Sequence, residues 1–433
     1  MERLFVGVHA LEHNRMAILP ATAAQERSSS AIRHQEKRDR NTSGWIAGVL
    51  HRHAAPLVIL MCVTLLMIFL YGQIAYNREP YAGWDLGKYR VMAQAAPGLA
   101  LTGRPFAYRL LGPYLVGLLP VPDPAGFYGL AVIASFVLVI LFYFFLIGEG
   151  IQRTAAVITV TFLIFNEYFF GMTLFDYFQI NDLLTLIFLI GLFWAMFKSR
   201  WPLFGVFLAL GALARETSLL MIPVALVYLL ETGRLRREGL PFALSSVPGA
   251  VIFTMIHAFA PVSGGMGLLE APWAYRAKVI SPVIWFRLLV NSFIPLSLLP
   301  AIYFKLTLEF FTRRKYALLF VGLVLASTFF GVNNERLMAP TFIVFYLLIA
   351  EITQTSLYPR WGILIIMLGC GFVSSFHPLI ARYPLPNNLT YVVLSLATLG
   401  MATAATAWGR WGEVQTRSSD PWTGSTSKYG SSS

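Results

Sequence analysis

Long apolar runs, broken by short polar connections, recur from about residue 55 to residue 408. They fall at about 55–75, 127–147, 154–174, 183–197, 201–214, 217–230, 241–260, 283–304, 316–332, 337–350, 361–377 and 389–408. Most are near the ~20 residues that cross a hydrocarbon core as a helix. The pattern predicts an all-α fold, a polytopic transmembrane helix bundle of about twelve spans. The range is eleven to thirteen, because 201–214 and 217–230 are short and 107–120 is apolar enough to add one. The connection 76–126 is the longest. Within it, Leu86 to Ala96 (LGKYRVMAQAA) reads as an amphipathic helix ended by Pro97-Gly98. Phe106 to Leu119 reads as a second helix, broken at Gly112-Pro113, and both suit the membrane interface.

Composition agrees. Hydrophobic side chains make up 57% of the chain and charged ones 12%, about half the charge of a soluble domain. The net charge of +12 sorts by side. Eight Lys/Arg precede residue 55. The tails and alternate connections, including Arg153, Lys198/Arg200, Arg234/Arg236/Arg237, Arg313/Arg314 and Arg360, bring that side to 22 of the 33. The positive-inside rule puts both termini in the cytoplasm, and a charge balance so explained gives no reason to expect a nucleic-acid partner. Residues 1–54, polar and basic with five of the seven histidines, and the Ser/Thr/Gly-rich tail 411–433 read as disordered cytoplasmic segments around a membrane domain at 55–410. The first apolar run is too long for a signal-peptide core and reads as an uncleaved span. Cys62 and Cys370 lie inside apolar runs and point to neither a disulfide nor zinc.

Charges at a membrane boundary are costly, so those on the outer face are the candidates for chemistry. Asp85, in Gly83-Trp84-Asp85-Leu86, can cap the first interfacial helix or serve as a general base. Asp176 lies between Phe175 and Tyr177 and is divided between site and surface, whereas Asp182 heads its span as a cap. Glu167 would want a buried partner, with Arg215 a candidate. Arg215-Glu216 interrupts an apolar stretch where a solvated turn would use smaller residues, which suggests a polar cavity, a phosphate or a structural ion pair. In Asn333-Asn334-Glu335-Arg336, Arg336 offers a guanidinium fork suited to phosphate, against lipid snorkelling as the alternative. Arg104, Arg109 and Arg276 are weaker versions of the same case. His377 reads as interfacial packing.

Taken in order, GWDLGKY, RPFAYRLLGPYL, the Asp-headed fourth span, GALARETS and NNERL resemble bacterial integral-membrane glycosyltransferases of the C-type superfamily, over roughly residues 55–355. The resemblance implies a sugar donor linked to polyprenyl phosphate, a glycan or lipid acceptor, membrane lipids as surroundings, and transfer on the extracytoplasmic face of the bacterial cytoplasmic membrane. It would make Asp85 the essential acid of the first outer loop and Asp176 the acid of the second. Arg215, Arg336, Arg109 and Glu335 would form the donor-binding set. The acidic pair or Asp-X-Asp common in the first loop is absent, since Leu86-Gly87 follows Asp85. No cofactor is therefore expected, and a divalent metal is left open. The alternatives are a twelve-helix secondary transporter, disfavoured by the short connection 231–240, and a noncatalytic polysaccharide-assembly protein.

Overall fold

The computed structural model describes residues 52–71, 85–264, 270, 274, 276–278, 280–331, 334–358, 360–376 and 388–418. The expected disordered segments, apart from residues 52–54 and 411–418, lie outside this range, as do His377 and the start of the connection 76–126. The chain divides into Met1–Ala55 and Pro56–Ser433, and the second unit holds the helix bundle. Helix is the only regular structure among the described residues, and one isolated bridge pairs Thr102 with Val262.

Six helices are long and apolar enough to cross a membrane: Arg52–Tyr71, Asp123–Gly148, Tyr177–Phe197, Leu235–Phe259, Asn334–Leu357 and Val392–Trp411. A seventh crossing arises if Arg153–Ile164 and Glu167–Phe175, bent by 58°, count as one. Twelve is not reached by helix length. Trp201–Ala214, Pro282–Phe293, Lys315–Ser327 and Trp361–Ser375 are shorter, and the run expected at 217–230 is a 3-10 turn, Glu216–Leu220, followed by Met221–Glu231. Hydropathy adds apolar residues across a break, but a polar side chain can start a new helical segment inside the run. Asn166 does so as the cap of Glu167–Gly171: its Oδ1 accepts from the backbone N–H of Tyr168 and Phe169 at 2.9 and 3.2 Å, and its Nδ2 donates to Ser292 O at 3.1 Å.

Helix ends follow local chemistry. Pro124, Pro202 and Pro282 stand in first turns, where a missing N–H costs nothing. Past Asp123–Gly148, Gly150 takes a left-handed φ of 85°. Ile151 N then reaches Leu146 O at 3.0 Å and Gly150 N reaches Ile147 O at 3.1 Å, the paired bonds that close a helix on a glycine.

Enclosure differs sharply among the long helices. In the apolar window of Asn334–Leu357, 78% is buried, and in that of Tyr177–Phe197, 72%; for Leu235–Phe259 it is 11%. The last turns Leu240, Leu244, Val251 and Phe259 outward, as a lipid-facing surface requires. The two enclosed helices are therefore the centre of the bundle, and both begin at the same end, where the polar residues gather.

The helices expected within the connection 76–126 form in part. Asp85–Ala95 forms as expected and buries Leu86, Tyr89, Met92 and Ala93. The next segment breaks at Arg109-Leu110, between the turn Phe106–Tyr108 and the helix Leu111–Gly117, so Gly112-Pro113 lies inside a helix. Gly112 is there for closeness: a Cβ would come within 2.5 Å of Ile180 Cγ2 and 2.8 Å of Asn181 Oδ1.

Candidate functional site: a balanced charge cluster at the helix entrances

The first turn of Ile180–Phe197 carries Asn181 and Asp182 into the bundle. Asn181 Nδ2 donates to Arg109 O at 3.1 Å, and its Oδ1 accepts from Gly112 N at 2.9 Å. One amide thus pins the bend that presents Arg109. Asp182 beside it accepts from Arg215 Nη1 on Oδ1 at 2.9 Å and pairs through Oδ2 with Arg336 Nε at 2.5 Å. Arg336 also reaches Asp85 Oδ2 through Nη1 at 3.6 Å. Gln179 Nε2 donates to the same Asp85 oxygen at 2.7 Å. Arg109 Nη2 donates to Glu216 Oε1 at 3.2 Å.

Three guanidiniums and three carboxylates therefore meet, from five stretches of sequence. Their exposure is graded. The side chains of Arg215, Asp182 and Arg109 are 4, 5 and 6% exposed, whereas Arg336, Asp85 and Glu216 are 13, 23 and 40%. A buried floor of two guanidiniums and one carboxylate thus carries a rim of one guanidinium and two carboxylates, and the charges balance only over the six together. Tyr89, one turn beyond Asp85, is buried against it. Burial raises its phenol above the ordinary value, outweighing Arg109 and Arg336, so it stays protonated and able to donate. Burial alone would raise Glu216, but Arg109 and Arg215 overcome it and hold the carboxyl at about 2. Glu216 Oε2, Arg109 Nε and Arg215 Nε are buried with no hydrogen-bond partner in the protein. The cluster keeps unused donors and an unused acceptor.

The structure brings together four of the six candidates, Asp85, Arg109, Arg215 and Arg336. Asp176, buried at the corner before Tyr177–Gln179, belongs to the turn whose Gln179 reaches Asp85. Glu335, next to Arg336, serves a neighbouring group: Arg287 grips it through Nε and, at 2.9 Å, through Nη2, and Asn291 Nδ2 donates to it at 3.3 Å.

Three expectations change. Asp182 is no cap: no side chain caps this helix, and its carboxylate holds two arginines instead. Arg215 pairs with Asp182, which leaves Glu167 out of the role proposed for it, and Arg215-Glu216 is no mutual pair, since each residue turns to a different partner. Among the described residues no three His, Cys, Asp or Glu side chains are arranged to hold a metal.

No protein-family model matches this chain, and no curated protein or solved structure matches it.

Proposed function

We propose that the protein is an integral-membrane glycosyltransferase that moves a sugar from a polyprenyl-phosphate donor to an envelope acceptor at the outer face of the bacterial cytoplasmic membrane. The observation that carries this reading is the shared contact of Asp85 and Arg336 on the rim of the buried cluster. A base and an anion-binding group stand side by side there, each held from behind. Asp85 is fixed by Gln179, and Arg336 by Asp182. At 3.6 Å the Arg336–Asp85 contact is the longest in the cluster, so a donor phosphate can take over the Nη1 edge of Arg336 while Asp182 keeps Nε. Asp85, released from its pair, then accepts the proton of the attacking hydroxyl as the new bond forms. Charge developing on the leaving phosphate falls on Arg336, with Tyr89 as a neutral donor nearby. Asp176 acts through the Gln179 turn.

In this reading the six long helices, the bent pair, the four shorter apolar helices and Met221–Glu231 make twelve crossings, with both termini in the cytoplasm and the cluster outside. The bent pair is the one feature that favours a transporter, because broken helices form binding sites in that class. Purified protein in detergent, where there is no compartment to fill, separates the two readings. Transfer from a polyprenyl-phosphate donor, lost in Asp85→Asn, is expected. Failure across a broad donor panel together with uptake into proteoliposomes would favour the transporter.

A further inference from the structure

Beside the cluster lies a second gathering of cations that the proposed reaction does not use. Arg287, on the helix Pro282–Leu289, holds Glu335 through Nε and Nη2. Glu335 is enclosed, with a side chain 2% exposed, but that of Arg287 is 44% exposed, and the Nη1 edge is not engaged by Glu335. Lys278 stands close by on the turn Arg276–Lys278, its Nζ donating to Asn334 Oδ1 at 3.0 Å and to Gly331 O. Burial, and then the repulsion of Arg287, bring the Lys278 ammonium below its ordinary value, with Glu335 acting in the opposite sense. Arg276 on the same turn is exposed. Two cations, Arg287 and Lys278, thus stand by one carboxylate that Arg287 already engages with two nitrogens.

The surroundings say what anion belongs there. Arg287 is flanked on its helix by Val283, Phe286 and Leu289, which are 66, 44 and 53% exposed, and Ile280 just before it is 83% exposed. An outward guanidinium set among outward apolar side chains fits an amphiphile, with its head on the charge and its tail on the aliphatic surface. A planar fork and an ammonium together match a phosphate better than a carboxylate, because a phosphate presents enough oxygens for both.

We infer that Arg287 and Lys278 form a site for the phosphate of a lipid head group, separate from the Asp85–Arg336 rim, with the tail lying along Ile280, Val283, Phe286 and Leu289. The site does not depend on the transferase reading, and its test reads binding alone.

The full-length protein, purified in mild detergent, is titrated with phosphatidylglycerol and followed by native mass spectrometry, with phosphatidylcholine and inorganic phosphate as parallel arms. Lys278→Gln keeps a donor for Gly331 and Asn334 but removes the charge, and is expected to weaken phosphatidylglycerol binding roughly fivefold, the worth of one cation near a lipid surface. Arg287→Gln alone would strand Glu335. Arg287→Gln/Glu335→Gln leaves the net charge unchanged and is expected to abolish the preference for the anionic lipid. Arg104→Gln, an exposed control, is expected to bind as wild type. Resistance to millimolar inorganic phosphate supports a head group with its tail; displacement by phosphate alone would overturn the lipid assignment in favour of a free-phosphate site. Equal binding by wild type and both variants, or equal weakening by Arg104→Gln, would overturn the site.

Discussion

Asp182→Asn separates two roles that the sequence could not tell apart. Asparagine caps a helix about as well as aspartate, so a capping residue would tolerate the change. In the structure Asp182 does something else, because its one enclosed carboxylate serves Arg215 at 2.9 Å and Arg336 at 2.5 Å. The asparagine keeps one acceptor for Arg215 and loses the charge that offsets both arginines. Arg336 retains Asp85, but Arg215, 4% exposed, is left without a carboxylate contact. Removing one partner of a buried pair costs about 3–5 kcal/mol, which corresponds to a factor of roughly 10² to 10³·⁵ in the folding equilibrium. The assay is reversible unfolding of the purified protein in mixed detergent micelles with increasing SDS, followed by tryptophan fluorescence. Asp182→Leu/Arg215→Met should recover much of the loss, since well-packed apolar replacements of buried pairs are often neutral. If Asp182→Asn unfolds within about 1 kcal/mol of wild type, a margin that a cap exchange would leave, the cluster is not a buried ion-paired unit.

Four further outcomes follow from the same geometry. Asp85→Asn should fold normally, its side chain being 23% exposed, while transfer falls roughly 10²- to 10⁴-fold, the range for a lost general base; wild-type turnover in the detergent assay would remove Asp85 from the chemistry. Arg336→Lys should lose most activity at normal expression, because Nε and Nη1 serve different carboxylates and one ammonium cannot replace that fork; near-normal transfer would speak for lipid snorkelling. The Glu216 carboxyl lies near 2 against an ordinary 4.5, so its contribution to stability is full above about 4.5 and disappears as pH falls toward 2. Glu216→Gln should flatten the acid limb of the stability profile across that window, modestly because the side chain is 40% exposed, and an unchanged limb would refute the pairing. In a background lacking Cys62 and Cys370, Ala274→Cys should react with an impermeant thiol reagent on intact cells and Arg236→Cys only after permeabilisation, both positions being exposed; the reverse result would turn the proposed face inward.

The extent to which the site could be read from sequence depended on what kind of signal each residue left. Asp85, Arg109, Arg215 and Arg336 stood out as charges at the boundary of apolar runs, each with a functional reading beside a structural one. For Asp182 only the structural one, the cap, was read, and it hid the residue on which the cluster centres. The overlooked signal was its neighbours: Gln179, Asn181 and Asp182 place three polar side chains within one turn at the head of an enclosed helix, and capping needs at most one. Asn181 binds across to Arg109 and Gly112, and Gln179 to Asp85. Pairing itself was not legible. Adjacent opposite charges such as Arg215-Glu216 suggest a local pair, but the extended backbone at Arg215 sends the two side chains to different partners. Breaks inside an apolar run were not legible either, since hydropathy does not register that Asn166 caps the start of a new helical segment by accepting from two backbone N–H groups.

The short helix Asn334–Met338 gives the arrangement its logic. Glu335 and Arg336 are consecutive, and they commit one rigid turn to two charge groups at once: Glu335 to Arg287 and Asn291, Arg336 to Asp182 and Asp85. Both groups fix this turn to elements far away in sequence, and it opens a helix whose apolar window is 78% buried. A displacement at either group must therefore move the turn against enclosed packing or break an enclosed ion pair. The turn is held against both, which keeps the rim in place and leaves the Arg336–Asp85 contact, at 3.6 Å, as its longest link.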